Sequence, residues 1–302
     1  MIEAKDVNAT ATSRVAVLMP AYNAGQCINR AVDSLVLGTF PCDIYVVDDG
    51  SEVPVAEILK PHPRVRIIRL ERNYGIPRAR NVGLRTILSR GYEYVACLDA
   101  DDICHPTRIA SQVDFLDSHP AVAVVGAWGR SFDESTGRPL RIGRMPVTPE
   151  RVRRAMRYNS AVINTSAMIR ASALRALGLY SELYPVAEDY EFYRRIGKHF
   201  EIANIPRILT AISISSGGVS LKRRHQQLVN RLAIQFKYFD AFEIGAWLGA
   251  AMTLALFLVP VSILSSLKTY IRPANKAKPF PEDNSPLNRL PDCPLNEALW
   301  VS

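Results

Sequence analysis

The stretch EYVACLDADD, residues 93–102, ends an apolar run with three carboxylates in four positions. The run has the near-continuous apolar character of a buried parallel strand. Two unit charges ~4 Å apart repel by about 4 kcal/mol at an effective dielectric constant near 20. Something must therefore offset the repulsion among Asp99, Asp101 and Asp102, and the two candidates are a bound cation and a fully hydrated loop.

The first half of the chain alternates strand and helix patterns. We predict strands at 14–19, 43–49, 64–70 and 93–99, and helices at 24–37, 76–90 and 106–118. This repetition predicts an α/β fold whose parallel strands are joined by right-handed crossovers. Later segments predict a strand at 121–128, a hairpin turn at 133–140, a helix at 148–158, a strand at 162–170, a helix at 187–200 and a strand at 207–214.

The composition is that of a globular protein with an anionic partner. The 302 residues can form one large domain or two ordinary ones. The net charge of +8 favours a nucleotide, a phospholipid surface or a nucleic acid. No compact nucleic-acid-binding motif is present, so we expect no nucleic-acid partner. The five cysteines are scattered and lack zinc-site spacing, which is typical of cytosolic thiols.

The acidic cluster itself predicts a metal site. If the strand continues to residue 101, Asp99 and Asp101 lie on one face and flank a space for a divalent ion. Mg²⁺ and Mn²⁺ prefer hard oxygen ligands and often bind one or two carboxylates together with substrate phosphates. The alternative is a solvated loop whose Asp102 caps a helix beginning at Pro106.

Three other polar stretches follow predicted strands or begin a helix. VDDGS (47–51) brings a second pair of carboxylates, and PAYN (20–23) offers a tyrosine that can stack on a base. RNYGIPRARNVGL (72–84) combines Arg80 and Asn81 with a helix start, where backbone N–H groups favour anions. Ligands collect at the carboxyl ends of strands in open α/β sheets, so the set together predicts a site for a nucleoside diphosphate and a metal ion.

These motifs, in this order and spacing over residues 14 to about 215, resemble the family 2 glycosyltransferases of the GT-A fold. The matching stretches are VAVLMPAYN, VVDDGS, RNYGIPRARNVGL, LDADD with HPTRIASQVDFL, and AEDYEFYRRI. The resemblance implies that residues 1–220 form a GT-A domain, a Rossmann-like and mostly parallel sheet flanked by helices.

The resemblance also implies roles for individual residues. Asp101, with Asp99 in the family's DXD motif, would bind Mn²⁺ or Mg²⁺, and Asp189 would act as the general base with Glu188 beside it. The residues implied near the nucleotide are Pro20, Tyr22, Asn23, Asp49, Arg80, Asn81 and Asp99. Asp189 begins a helix, whose dipole lowers its pKa, whereas Glu188 raises it.

The implied activity is an inverting, metal-dependent sugar transfer. The donor would be a nucleotide-diphosphate sugar, most often a UDP-sugar. The acceptor would be a glycan linked to a polyprenyl diphosphate, in bacterial surface polysaccharide synthesis. Two alternatives stay open at this point. One is a nucleotidyltransferase, which would need a glycine-rich phosphate loop where this chain has MPAYNAG. The other is a sugar-nucleotide-binding membrane scaffold without catalytic activity.

Beyond residue 220 the sequence changes character. Residues 221–270 combine a basic amphipathic helix with a run free of charge from Ile244 to Leu267, and 271–302 form a proline-rich tail that we expect to be disordered. The uncharged run is long enough to span a bilayer, but Pro260 interrupts it. Gly245 and Gly249 have the GxxxG spacing of helix contacts.

We expect this C-terminal region to associate with a membrane. Basic residues flank the uncharged run on both sides, so the positive-inside rule gives no orientation. A helical extension lying on the cytoplasmic face of the inner membrane is the favoured interpretation. The alternatives are a single transmembrane helix around 244–267 and, third, a soluble helical hairpin. The seven arginines between Arg138 and Arg157 could contact a lipid-linked diphosphate, an anionic leaflet or water.

Overall fold

A computed structural model describes residues 13–215, 223–259 and 299–300 of the chain. The strands in these residues are β1 Val15–Ala21, β2 Asp43–Asp48, β3 Val65–Arg69, β4 Tyr94–Cys97, β5 Ile103–Cys104, β6 Val122–Asp133, β7 Pro139–Gly143, β8 Met168–Arg170 and β9 Glu201–Ile214. The helices are α1 Cys27–Val36, α2 Val55–Ile58, α3 Ile76–Leu88, α4 Arg108–Ser118, α5 Pro149–Ala155, α6 Ala171–Leu177, α7 Glu188–Ile196, α8 Arg224–Lys237 and α9 Ile244–Leu258.

All nine strands form one sheet with the order β3-β2-β1-β4-β8-β6-β9-β5, and β7 pairs with β6. The first four strands in this order are parallel, as the alternating pattern predicts. The sheet as a whole is mixed, because β8 runs antiparallel to both β4 and β6 while β6 and β9 are parallel. The predicted α/β fold is confirmed, and the parallel half carries the first three nucleotide-site motifs.

Helices cover both faces of the parallel strands because β1 and β2 bury side chains on both sides. Leu84 and Ile87 of α3 pack into one apolar cluster, whereas Ile28 of α1 and Val113 of α4 pack into another. Gly83 lets α3 approach closely, since a Cβ atom there would overlap Leu18 of β1 and lie 2.8 Å from Val47 Cγ2.

A fully buried arginine holds the junction where the sheet changes direction. Arg108 Nη2 donates to the carbonyls of Cys97 at 2.7 Å and Ala167 at 3.2 Å, and Arg108 Nε donates to Gln112 Oε1 at 3.0 Å. Gln112 Nε2 in turn donates to the carbonyls of Val125 and Ser166. These bonds give buried side-chain donors backbone partners, and they fix Cys97, which precedes the acidic stretch.

Two predicted strands differ from the structure. The strand predicted at 93–99 ends at Cys97, so Asp99 and Asp101 lie in the turn that follows. The strand predicted at 162–170 is a 3₁₀ turn over Asn164–Ser166 followed by the three residues of β8. The turn connects this segment to the acidic stretch, because the Thr165 hydroxyl accepts a hydrogen bond from the Asp99 N–H at 2.9 Å.

The C-terminal helices form a hairpin packed on the rest of the chain. Gly249 of α9 lies against the backbone of Arg157, and the Arg157 guanidinium forms an ion pair with Glu243. The predicted GxxxG spacing therefore serves a contact within this chain. Helix α9 ends at Leu258, and the rest of the predicted 244–267 segment lies outside the described residues.

No helix in the described ranges is both long and apolar enough to cross a bilayer. The predicted boundary at 220/221 lies within residues 216–222, outside the described part, so the division into domains stays a prediction. Of the predicted tail 271–302, only residues 299–300 are described, where Leu299 packs against Ile103 and Phe132.

Candidate active site

The loops after β1 and β2 place the first predicted site residues at the carboxyl edge of the sheet. Pro20 lies within β1, opposite Val47, and Tyr22 directly after the strand is 48% exposed. Asn23 has a φ of 50°, and its side-chain Oδ1 accepts a hydrogen bond from the Glu52 N–H at 2.9 Å. The asparagine therefore ties the two loops together and leaves the tyrosine ring open to a ligand.

Asp49 is buried and binds the loop before α3. Its two carboxylate oxygens accept hydrogen bonds from the N–H groups of Tyr74 at 2.9 Å and Gly75 at 2.8 Å. Burial raises the pKa of Asp49, and these two hydrogen bonds act in the opposite direction. The structure thus gives Asp49 a positioning contact, and its predicted contact with the base or ribose stays a prediction.

Arg80 of α3 lies buried between two carboxylates that are distant in the sequence. Its Nη2 is 3.0 Å from Asp99 Oδ1, and its Nη1 is 2.5 Å from Glu188 Oε1 at the start of α7. Burial lowers the pKa of this guanidinium, but the two carboxylates outweigh that effect and raise it. The guanidinium is thus engaged with acids, whereas the sequence predicted a phosphate contact.

Asn81, the next residue of α3, is also buried and holds backbone. Its amide Nδ2 donates to the Tyr180 carbonyl at 2.9 Å, and its Oδ1 accepts from the Tyr180 N–H at 2.9 Å. This pair of bonds fixes the chain that leads into α7. The contacts of Asn81 with Tyr180 do not test its predicted place close to the nucleotide, which stays a prediction.

The side chains of Asp99 and Asp101 fit a site for a hard divalent cation that also binds substrate oxygens. Asp101 is open to solvent, yet partial desolvation and then the charge of Asp99 raise its pKa to about 6. The described residues contain no cluster of three or more His, Cys, Asp or Glu side chains that could hold a metal. Two carboxylates do not complete an oxygen-ligand set, so the predicted Mg²⁺ or Mn²⁺ site would need further oxygens, such as those of a diphosphate, and stays a prediction.

Asp102 is buried and does not cap a helix, so the alternative of a solvated loop with Asp102 as a helix cap is wrong for this residue. It is 3% exposed, and its Oδ1 accepts a hydrogen bond from the Ser213 N–H of β9 at 2.8 Å. Burial raises the pKa of Asp102 well above its usual range, with Asp101 and Asp99 contributing. Asp102 therefore ties the acidic turn to β9, and helix α4 begins at Arg108 without a side-chain cap from it.

Glu188 and Asp189 open α7 beside the same guanidinium. Burial raises the pKa of Glu188 to about 7, Arg80 lowers it, and Asp189 raises it. Burial also raises the pKa of Asp189, again against the charge of Arg80, while Asp189 Oδ1 accepts a hydrogen bond from the Tyr190 N–H at 2.7 Å. The sequence left open whether the helix dipole lowers the pKa of Asp189 or the neighbouring acid raises it. In the structure the pKa is raised, and burial is the largest cause.

The structure adds two groups that sequence reasoning missed. Glu134, in the turn between β6 and β7, acts on Asp101 and raises its pKa, and Arg30 of α1 lowers it. The Arg30 guanidinium also donates to the Asp101 carbonyl at 3.4 Å. Both lie more than thirty positions from Asp101 in the sequence, so no local pattern marks them.

Comparison with known proteins finds glycosyltransferases, both among family models and among individual relatives. A family model described as glycosyl transferase family 2 matches residues 16–178. The amylovoran biosynthesis glycosyltransferase AmsE of Erwinia amylovora is 32% identical over 220 residues, which cover 68% of this chain and 79% of that protein. An uncharacterized glycosyltransferase of Haemophilus influenzae is 26% identical over 275 residues, covering 86% of this chain and 99% of that one.

Solved structures share the fold. S. aureus TarS in complex with UDP-GlcNAc has a TM-score of 0.60 and 21% identity, and the match covers 81% of this chain and 71% of that one. The mannosyltransferase PcManGT from Pyrobaculum calidifontis, in complex with GDP-Man and Mn²⁺, has a TM-score of 0.57 and 19% identity, with 88% and 83% covered. At these identities the likeness shows the fold alone.

The charge on Asp101 should lower the stability of the fold at neutral pH. Its folded pKa of about 6 lies above the ordinary value, so stability falls as the pH rises toward 6 and stays low above it. We expect Asp101→Asn to raise Tm in EDTA at a pH of about 7.5, and to raise it less at a pH of about 4.5. Thermal unfolding at the two pH values measures the difference.

The matched control is Asp114→Asn, which removes an exposed acid of α4 and should leave Tm almost unchanged at both pH values. Adding Mn²⁺ at the higher pH should raise the Tm of the parent more than that of Asp101→Asn, because the ion binds the native carboxylates. Equal Tm values for the parent and Asp101→Asn at neutral pH would contradict the repulsion.

Proposed function

Since the chain belongs to family 2 of the glycosyltransferases, we propose that it moves a sugar from a nucleoside diphosphate to a hydroxyl group of a glycan, with inversion at the anomeric carbon. The family resemblance seen in the sequence motifs is confirmed, and the protein is a transferase. UDP-sugar is the proposed donor. TarS, a structural neighbour, was solved in complex with UDP-GlcNAc, which supports the choice.

One observation carries the proposal: Arg80 contacts both Asp99 and Glu188. Asp99 lies two positions from the proposed metal ligand Asp101. Glu188 directly precedes the proposed base Asp189. An inverting transfer needs the metal site, which binds the leaving diphosphate, and the general base, which binds the acceptor hydroxyl, on opposite sides of the anomeric carbon. The acceptor oxygen forms its bond to the anomeric carbon as the bond to the diphosphate oxygen breaks, and that oxygen keeps the electron pair. The proton of the acceptor hydroxyl passes to the base.

Asp189 is the proposed base. Its raised pKa favours proton abstraction, because a base is most effective when its pKa approaches the working pH. The Tyr190 N–H holds one carboxylate oxygen, so the other can face the acceptor. When bound, Mg²⁺ or Mn²⁺ held by Asp99 and Asp101 would stabilise the negative charge that grows on the departing diphosphate.

Tyr22 and Asp49 are the proposed contacts of the nucleoside. The half-exposed ring of Tyr22 lies at the carboxyl edge of β1, where it can stack on the base. Asp49 fixes the loop that ends in Gly75, whose φ of 92° suits glycine, and so shapes the same pocket. Pro20, Asn23 and Asn81 would support the pocket through the backbone they hold.

We propose bacterial surface polysaccharide synthesis as the setting and a polyprenyl-diphosphate-linked glycan as the acceptor. The names of two relatives support the setting, the amylovoran enzyme and the succinoglycan biosynthesis protein ExoO of Rhizobium meliloti. The proposed location is the cytoplasmic face of the inner membrane, with the protein bound peripherally.

The faces of α9 support membrane contact. Gly245, Gly249 and Thr253 lie at four-residue spacing, with Gly249 and Thr253 buried against the protein. On the outer side Trp247 is 59% exposed, Leu248 50% and Met252 58%. Helix α9 carries no charge, and its outward side chains form an exposed apolar surface of the kind that can bind a bilayer. Exposed arginines of β7 and α5 can add attraction to anionic lipids.

Turnover tests the proposed reaction. We expect Asp189→Asn to lower the transfer rate by roughly 10²–10⁴-fold, because the general base is lost, while UDP binding persists. Asp101→Asn should weaken the metal-dependent part of UDP binding.

The assay measures the release of UDP from a UDP-sugar in the presence of a glycolipid extract, and Asp114→Asn is the control. Product NMR reads the anomeric configuration.

Three outcomes would contradict the reaction. UDP binding without turnover on any acceptor, equal in the parent and Asp189→Asn, would show a binding protein. Release of pyrophosphate in place of UDP would show a nucleotidyltransferase. A product that retains the anomeric configuration of the donor would rule out the single displacement.

Vesicle flotation tests the membrane contact. Replacing Trp247 and Leu248 by serine should reduce binding to vesicles of mixed neutral and anionic phospholipid, because the outward apolar area is lost. Leu183→Ser is the matched control, since Leu183 is 80% exposed in the loop before α7. Undiminished flotation of the double variant would refute membrane contact through α9.

A further inference from the structure

Arg231 lies on the inward face of α8, although it is a charged residue. Leu228, Ile234 and Gln235, at positions −3, +3 and +4 from it, are all buried. Residues three and four positions apart lie on the same side of a helix, so Arg231 shares that side. It is itself partly buried. The sequence alone presented it as one of several charges on a basic helix.

Helix α8 is fixed against the segment that follows α5 and against α7, the helix that bears the proposed base. Gln235 Nε2 donates to the carbonyl of Tyr158 at 3.1 Å. Lys237 Nζ and the Tyr238 hydroxyl both contact Glu191 Oε1 of α7, at 2.8 and 2.7 Å. These contacts on neighbouring turns keep the position of Arg231 relative to α7 constant.

The guanidinium of Arg231 has no partner in the described part of the chain. It takes part in neither a hydrogen bond nor an ion pair there, whereas Arg80, Arg157 and Arg195 all contact carboxylates. Burial lowers its pKa, and Tyr190 and Asp189 act in the opposite direction. A partly desolvated cation without a partner is unfavourable, and binding of an anion would relieve that cost.

The neighbours of Arg231 indicate which substrate supplies the anion. Helix α8 packs on α7 through Lys237 and Tyr238, and α7 begins with Glu188 and Asp189. The charge of Asp189 acts on Arg231, in agreement with this packing. Asp189 is the group proposed to take the proton from the acceptor, so Arg231 lies on the side of the site where the acceptor would bind.

We propose that Arg231 binds the phosphate group of a phosphorylated acceptor, beside the hydroxyl that Asp189 activates. The proposal rests on the proposed function, since it assigns Asp189 to the acceptor. Arginine suits this ligand because its planar fork can form two parallel hydrogen bonds to phosphate oxygens. Arg231 and the outward apolar face of α9 belong to one hairpin, so the phosphate and the lipid of one acceptor could be bound by adjacent parts of it.

Calorimetric binding to the full-length protein tests the site with two probes, farnesyl diphosphate and UDP. We expect Arg231→Gln to weaken binding of farnesyl diphosphate by roughly tenfold or more, because charge-assisted bonds to phosphate are lost, and to leave UDP binding unchanged. Arg231→Lys should restore part of the affinity. Arg223→Gln is the matched control, since it removes an exposed charge next to the same helix. Farnesol, which lacks the phosphates, should bind the parent and Arg231→Gln equally.

The remaining outcomes would overturn the proposal. Equal loss of affinity in Arg223→Gln would show a net-charge effect, and equal loss for UDP would place Arg231 in the donor site. Unchanged affinity for farnesyl diphosphate in Arg231→Gln, or no binding by the parent that does bind UDP, would exclude the phosphate site. A parent that binds neither probe would instead refute the proposed function, so the two failures are distinguishable.

Discussion

The structure of the site depends on one buried cation between carboxylates from two distant parts of the chain. Arg80 of α3 contacts Asp99, in the turn after β4, and Glu188, at the start of α7. Removing one partner of such a buried pair costs about 3–5 kcal/mol, because the other charge is left uncompensated. The bridge therefore holds the acidic turn and the first turn of α7 together and sets the distance between the two halves of the site.

Arg80 contacts two carboxylates, and one guanidinium cannot neutralise all four carboxylates of the site. Desolvation is the largest cause that raises the pKa of Asp101 and of Asp189, and repulsion from Asp99 raises both further. The two raised values suit different tasks in the proposed reaction. Near Asp101 the excess of negative charge favours a cation, and at Asp189 it favours acceptance of a proton. A single constraint thus supports both proposed functions.

The sequence predicted what depends on local pattern and chain order. Parallel strands ending in polar motifs placed Tyr22, Asp49 and Asp99 at one edge, and the order of those motifs indicated the family. It could not predict the partners of Arg80, because Glu188 is 108 positions away. The same holds for Arg231, whose importance depends on how α8 packs on α7. The 3₁₀ turn near Thr165, where the sequence predicted a strand, is bound to Asp99 through a contact 66 positions apart in the sequence, which no local propensity encodes.

The pH dependence of kcat/KM in Arg80→Gln tests the role of this bridge most directly. Arg80 lowers the pKa of both Glu188 and Asp189, so its removal should move the acidic limb of the profile to higher pH, by about one unit or more. Arg80→Lys, which keeps the charge, should fold and show a limb close to that of the parent, as should Arg78→Gln at an exposed position of the same helix. A folded Arg80→Gln enzyme with an unshifted limb, or a shift in Arg80→Lys as large as in Arg80→Gln, would contradict the account.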